Sequence, residues 1–224
     1  MNATQKEDGH ANPYSTEFKK PQSKRGNWYR FRAATLNILS GKEDAYIELA
    51  AREMVKYSIT ILALQEVRRV TDDRIVEIVV NLRKYSFRLI TSGNDTRNHG
   101  VGILIRDTVG IKIQNISCIS GRILKINASL NGYDTIILSA YAPTATSENE
   151  TIDEFYDSLE NAMKTGHKTQ KLLLLGDFNA YPTFANNHSC VSEKYDFCEE
   201  DNANYNTESL IKLICTSKLS VLNT

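Results

Sequence analysis

Two apolar runs that end abruptly in polar residues constrain this chain more than any other feature. Residues 59–64 (ITILAL) read as a strand buried on both faces, and the run closes on Gln65-Glu66. Residues 171–176 (KLLLLG) form a second apolar strand that runs into Asp177, Phe178, Asn179 and Ala180. Strands that are apolar on both faces need a covering layer on each side, which points to sheets enclosed by helices. Side chains at i and i+2 of an extended segment point the same way, so Asp177 and Asn179 are expected to act together on one target. Strand ends are also where α/β folds usually place their chemistry.

Periodicity supplies the remaining elements. Residues 31–38 read as a strand ending at Thr35-Leu36-Asn37-Ile38. Residues 43–57 place Tyr46, Leu49, Ala50, Met54 and Tyr57 at helical spacing, which predicts an amphipathic helix. A second helix is predicted over 72–84, with Asp72 and Asp73 in its first turn and Ile75, Ile78, Val79 and Leu82 inside. The texture then changes. Short β-rich runs at 86–92, 100–106, 110–118, 122–130 and 134–141 are separated by turn residues, and Asn131-Gly132 is a strong hairpin signal. Residues 151–164 return to helical spacing through Ile152, Phe155, Leu159 and Met163. Residues 181–206 are polar and aperiodic, a long loop. A last helix near 207–217 precedes a strand that starts at 219–222. A βαβ-like opening, a β-rich middle and a βαβ-like return predict an α/β fold: two packed mixed β-sheets flanked by helices, a four-layer α/β/β/α sandwich.

Residues 1–30 read as a disordered arm, and residues 31–224 as the single domain. The end of the arm, from Lys19 to Arg32, holds six basic residues, no acidic ones, and Trp28, Tyr29 and Phe31. Such a segment could touch a nucleic-acid backbone and stack on bases, but a solvated arm leading into the first strand is the better reading. The 27 Lys and Arg balance the 27 Asp and Glu, so a polyanion has to be recognised locally, without a globally basic field. No apolar run approaches the roughly 18 residues of a membrane span. Cys118, Cys190, Cys198 and Cys215 are scattered and follow no signal-peptide core, and they read as reduced thiols of an intracellular protein. His188 with Cys190 and Cys198 lacks a zinc spacing.

Three strand ends carry polar groups: Asn37, Glu66, and Asp177 with Asn179. A carboxylate at the end of a buried strand costs desolvation unless something pairs with it. A hard divalent cation is one such partner. Mg²⁺ takes oxygen ligands, typically one or two protein carboxylates, and fills its other positions with water and substrate phosphate. Glu66 alone is also explained as an exposed carboxylate just past a strand, but the conjunction of three strand ends favours the cation. In Tyr141-Ala142-Pro143-Thr144 a strand delivers a tyrosine and proline stops it. That phenol suits a hydrogen bond to a phosphate oxygen, or simply a strand-end aromatic with a wet hydroxyl.

The motifs TLNI around Asn37, LQEV around Glu66, HGVGILIR at 99–106, SAYAPT at 139–144 and GDFNA at 176–180 share one order and spacing. In these the chain resembles the exonuclease/endonuclease/phosphatase superfamily. It is most similar to the endonuclease domains of LINE-type retrotransposons and to craniofacial development protein 2-like sequences. The resemblance runs from about Phe31 to Thr224. It implies Mg²⁺-dependent hydrolysis of DNA phosphodiesters, with Mn²⁺ as the alternative cation. By the same resemblance Glu66 is the direct metal ligand, and Asn37 the amide that supports metal and phosphate. Tyr141 contacts the scissile phosphate, Asp177 positions or deprotonates the attacking water, and Asn179 holds substrate phosphate. A reverse transcriptase in a longer parent polyprotein belongs to the same implication, and a nuclear location follows only if DNA is the substrate.

Members of the superfamily continue into two further strands, one with an Ile-Asp-Tyr-type motif and one with a Ser-Asp-His motif whose histidine is the acid/base group. The sequence reaches Thr224 before either, and none of His10, His99, His167 and His188 follows an aspartate. His99 is assigned no catalytic role. Weak or absent nuclease activity is therefore expected of these 224 residues, with an open sheet edge beside residues 171–176. Two other readings stand beside this one: the same fold acting on a phospholipid or RNA, and a non-catalytic remnant or binding domain.

Overall fold

The computed structural model describes residues 30–69, 76–82, 84–92, 100–108, 110–164, 169–180 and 204–222. The arm as far as residue 29, most of the predicted long loop and all four histidines lie outside the described residues. Strand β1 (Ala33–Asn37) leads through helix α1 (Asp44–Lys56) to β2 (Ile61–Gln65), which pairs with β1 in parallel. Strands β3 (Val76–Leu82), β4 (Tyr85–Thr91) and β5 (Val101–Arg106) complete a five-stranded sheet in the order β1-β2-β5-β4-β3. Strands β6 (Ile111–Ser120), β7 (Ile123–Leu130) and β8 (Tyr133–Tyr141) form an antiparallel meander. Helix α2 (Asn149–Met163) crosses over to β9 (Lys171–Asp177), which lies parallel to β8, and α3 (Tyr205–Thr216) follows. The second sheet runs β6-β7-β8-β9.

Three apolar layers hold the four tiers together. Alternation along each buried strand assigns its residues to the layers. On β2, Leu62 and Leu64 face Ile47, Ala50, Ala51 and Met54 of α1, whereas Ile61 enters the layer between the sheets. On β8, Ile136, Leu138 and Ala140 face Ile152, Phe155 and Leu159 of α2 and Leu210, Leu213 and Ile214 of α3. Ile137 and Tyr141 point the other way, into the inter-sheet layer with Ile103, Leu124 and Ile126. The apolar runs at 59–64 and 171–176 are thus doubly covered, and the expected α/β/β/α sandwich is the one observed.

Two expected elements are corrected. Residues 76–82 form a strand paired with β4, not a helix. Val79, expected inside a helix, is 61% exposed, while Val80 and Leu82 join the α1 cluster. The pattern at 75, 78, 79 and 82 fits helical spacing, but the β-branched run IVEIVV also fits a half-buried strand, and pairing with β4 decides. Residues 219–222 form no strand. Helix α3 closes with Lys218 at φ 52, its N–H toward Cys215 O and the Leu219 N–H on Ile214 O at 3.0 Å. This Schellman closure turns the chain back onto the helix, so Leu219 and Val221 pack on the α2/α3 cluster instead of joining a sheet.

The Asn131-Gly132 hairpin has the expected turn, with φ 51 and 85, and it joins Leu130 to Tyr133 directly. Edge strand β6 carries two register shifts, at Ile113/Asn115 and Cys118/Ser120, which blunt it. At the opposite edge no strand among the described residues pairs with the outer side of β9. No described helix is long and apolar enough to cross a membrane.

Candidate metal and phosphate site

The parallel pair β1–β2 of one sheet and the parallel pair β8–β9 of the other end at the same place. Register sets Asn37 beside Gln65, one residue before Glu66, and Tyr141 beside Asp177. Asn37 links the two sheets: its Nδ2 donates to Glu66 Oε1 at 3.0 Å and to Asp177 Oδ2 at 3.2 Å. Its Oδ1 accepts the Leu39 N–H at 3.1 Å, which fixes the amide's orientation. The Tyr141 hydroxyl donates to the same Glu66 Oε1 at 2.9 Å, and the Arg68 guanidinium pairs with Oε2. Four side chains from four strand ends, Asn37, Glu66, Tyr141 and Asp177, thus form one connected cluster.

Electrostatics follow from these contacts. Burial pushes the Glu66 carboxyl up, but hydrogen bonds from Asn37, Tyr141 and Arg68, with the Arg68 charge, outweigh it and hold the group below the ordinary carboxylate range. Burial, the Glu66 hydrogen bond and the charges of Glu66 and Asp177 push the Tyr141 phenol up to about 12, against the opposing charge of Arg122. Tyr141 therefore stays a neutral donor at physiological pH. Arg122 lies 5.3 Å from the Tyr141 ring centroid and donates to the carbonyls of Tyr141 and Ala142 at 3.2 and 3.3 Å.

Asn179 stands apart from this cluster. The strand ends at Asp177, and Asn179 sits at φ 46, so the i, i+2 alignment expected of an extended segment does not arise. The two residues are joined differently: the Asn179 N–H donates to Asp177 Oδ1 at 3.1 Å. The Asn179 side-chain donors go to Ala142 O and Pro143 O at 2.9 and 3.3 Å. At the N-cap of α3, Asn204 donates to Asn179 O at 3.2 Å, and in its first turn fully buried Asn206 donates to Pro143 O at 2.8 Å. These bonds brace the turns that follow both Tyr141 and Asp177.

Arg68, Arg122, Asn204 and Asn206 are the contributors that sequence reasoning missed. Arg68 left a signal, an opposite charge two residues after Glu66 at a strand end. The other three left none, because only the tertiary fold brings them near.

The donor set suits a hard cation. Glu66 Oε1 and Asp177 Oδ2 both lie within hydrogen-bond reach of one amide nitrogen, so two carboxylates converge with only oxygen atoms to offer. Among the described residues no group of three or more His, Cys, Asp or Glu converges. One or two carboxylates with water and phosphate completing the shell is the pattern Mg²⁺ uses. The chemistry of Glu66 and Asp177 is therefore compatible with a hard divalent cation such as Mg²⁺.

The sequence pattern of the Endonuclease/Exonuclease/phosphatase family matches residues 34–197. No curated protein sequence matches the chain. Among solved structures, the chain is similar to the endonuclease domain of TRAS1, a telomere-specific non-LTR retrotransposon. The TM-score is 0.54 at 15% identity, over 87% of this chain and 74% of that one. It is also similar to the AP endonuclease LMAP from Leishmania major, with a TM-score of 0.52 at 10% identity, over 82% of this chain and 66% of that one. At these identities the likeness is one of fold.

Proposed function

The chain belongs to the Endonuclease/Exonuclease/phosphatase family, and from that premise we propose that it is a Mg²⁺-dependent phosphodiester hydrolase acting on DNA, of the retrotransposon-endonuclease type. The observation that carries this reading is the single Asn37 amide held between Glu66 and Asp177, with Tyr141 on the same Glu66 oxygen. When bound by Glu66, Mg²⁺ or Mn²⁺ supplies a Lewis acid that offsets charge developing on the phosphate. Asn37 keeps the two carboxylates in register and is placed to support both metal and phosphate. Asp177 is the carboxylate that orients the attacking water and accepts its proton. Tyr141, neutral at physiological pH, donates to a phosphate oxygen once its single O–H is released from Glu66. Asn179 braces the turns beside Tyr141 and Asp177, and its donors reach phosphate only if Ala142 and Pro143 release them.

Among the described residues the site contains no histidine. A reverse transcriptase in the same parent polyprotein and a nuclear location follow from this reading. The test is nicking of supercoiled plasmid by the purified chain in Mg²⁺. Nicking is expected, lost in Glu66→Ala and Asp177→Ala and in EDTA. Nicking that survives both substitutions would overturn the assignment.

A further inference from the structure

Glu66 has no vacant oxygen. Oε1 receives both Asn37 and Tyr141, and Oε2 is paired with Arg68. Of the two oxygens only Oε2 keeps a lone pair free of a hydrogen bond, so a cation that binds this carboxylate does so beside the Arg68 guanidinium. Asn37 and Tyr141 are neutral donors anchored on the ends of β1 and β8. Arg68 alone carries positive charge, and a cation on Oε2 would set two like charges against one carboxylate.

We propose that Arg68 is a built-in counter-ion that competes with the divalent cation for Glu66 and thereby sets the metal affinity of the site. This rests on the metal-site reading of Glu66. Local backbone geometry turns Arg68 back toward Glu66. Glu66 and Arg68 both adopt left-handed conformations, at φ 56 and 52, a state L residues hold only when their surroundings enforce it. Val67 between them does the enforcing. It is buried, its N–H bonds to Gly100 O at 3.0 Å, and its carbonyl accepts from Gly41 N at 2.9 Å.

The pair is asymmetric in a way that makes Arg68 the partner that leaves. Its side chain is 35% exposed against 11% for Glu66, so the guanidinium can swing into water while the carboxylate stays. Its Nε is buried without a hydrogen-bond partner among the described residues, so leaving relieves an unsatisfied donor. In the metal-free protein Arg68 neutralises Glu66 and keeps the strand ends together. In the metal-bound protein its charge is released toward solvent.

The test is Mn²⁺ binding to the full 224-residue chain, read as loss of the free-ion electron paramagnetic resonance signal at fixed ionic strength. Arg68→Gln is expected to tighten Mn²⁺ binding roughly three- to tenfold, because it removes a part-buried charge competitor. Arg68→Lys, which keeps the charge but loses the planar fork, falls between. The metal-free Arg68→Gln protein melts lower than wild type, and its Mn²⁺-induced rise in Tm is larger. A purely structural Arg68 predicts the reverse sign, since a loosened Glu66 binds metal less well. Unchanged or weaker binding in Arg68→Gln, with binding abolished in Glu66→Gln, overturns the proposal and leaves the metal site standing. No Mn²⁺ binding in wild type or Arg68→Gln overturns both. If Arg68→Gln folds poorly, Arg68→Lys decides alone: tighter binding supports the competition, and equal or weaker binding refutes it.

Discussion

Tyr141 joins the inter-sheet layer to the polar site, since its ring lies among apolar side chains while its hydroxyl reaches Glu66. Removing the hydroxyl in Tyr141→Phe deletes one charge-assisted hydrogen bond and should cost about 1 kcal/mol of stability at neutral pH. Its phenol is pushed up to about 12 from 10.0, so the fold prefers the protonated form. That contribution is whole below pH 10.0 and is lost as pH rises toward 12. In EDTA, the stability gap between wild type and Tyr141→Phe should therefore hold steady to about pH 10 and close by about pH 12. Urea titrations across that range measure it, and a gap that stays constant to pH 12 would falsify the hydrogen-bond assignment. Glu66 runs the other way: its carboxyl is held low, so its share of stability is present above 4.5 and fades as pH falls below it. Asn37, Glu66, Tyr141 and Asp177 were legible as residues because each sits where an apolar run stops. Arg68 left only its opposite charge two residues after Glu66 as a signal, because the pairing itself depends on two left-handed residues that no propensity foretells.

At the scale of elements, the contact between β8 and β9 positions half of the site, and Gly176 is what allows it. A Cβ at Gly176 would come within 2.3 Å of the Ala140 carbonyl oxygen, far inside any real contact, and the obstacle is backbone. Gly176→Ala should therefore push β9 away from β8 beside the Tyr141–Asp177 pair, at roughly 1–3 kcal/mol. Its larger effect falls on catalysis, because Asp177 moves relative to Asn37, and a misplacement near 1 Å costs on the order of 10²-fold. The check is a comparison of plasmid nicking with urea stability. A variant that loses stability but nicks at the wild-type rate would show that Gly176 serves packing only. Legibility at this scale follows the number of signals at each element. Strands β2 and β9 carry dense apolar runs, and α2 carries a full helical stripe, so their nature is plain. The β7–β8 turn is fixed by Asn131-Gly132, whose residues tolerate the positive φ that it requires. Strand β3 defeats periodicity because seven β-branched-rich residues satisfy both spacings, and only its pairing with β4 chooses. The residues after α3 look strand-like in composition, but Lys218 in a left-handed conformation folds them back.

For the molecule as a whole, the site is a joint between two sheets. Asn37 and Asp177 lie 140 positions apart in sequence, and they meet only if β1 and β9 are brought together by the inter-sheet layer. The order of the motifs predicted that meeting through a family resemblance, while the physical cause is the shared burial of Ile61, Ile103, Ile126 and Ile137. Under the proposed function, metal binding is then thermodynamically coupled to sheet packing. A cation held by Glu66 beside Asp177 stabilises only the state in which the sheets are docked, so it should act on global unfolding. At 100 times its Kd, Mn²⁺ is expected to add about 2.7 kcal/mol to the unfolding free energy, and EDTA should remove it completely. Ile137→Ala, at a fully buried inter-sheet position, should cost about 2–5 kcal/mol by leaving a cavity. Because that cavity lies in the layer that docks the sheets, Mn²⁺ should bind the variant more weakly while still raising its stability. Glu66→Gln should show no metal-dependent gain at any concentration. Urea unfolding with and without Mn²⁺ in the three proteins measures all of this. Equal metal affinity in wild type and Ile137→Ala would mean that the site is assembled within one sheet and that the joint carries no coupling.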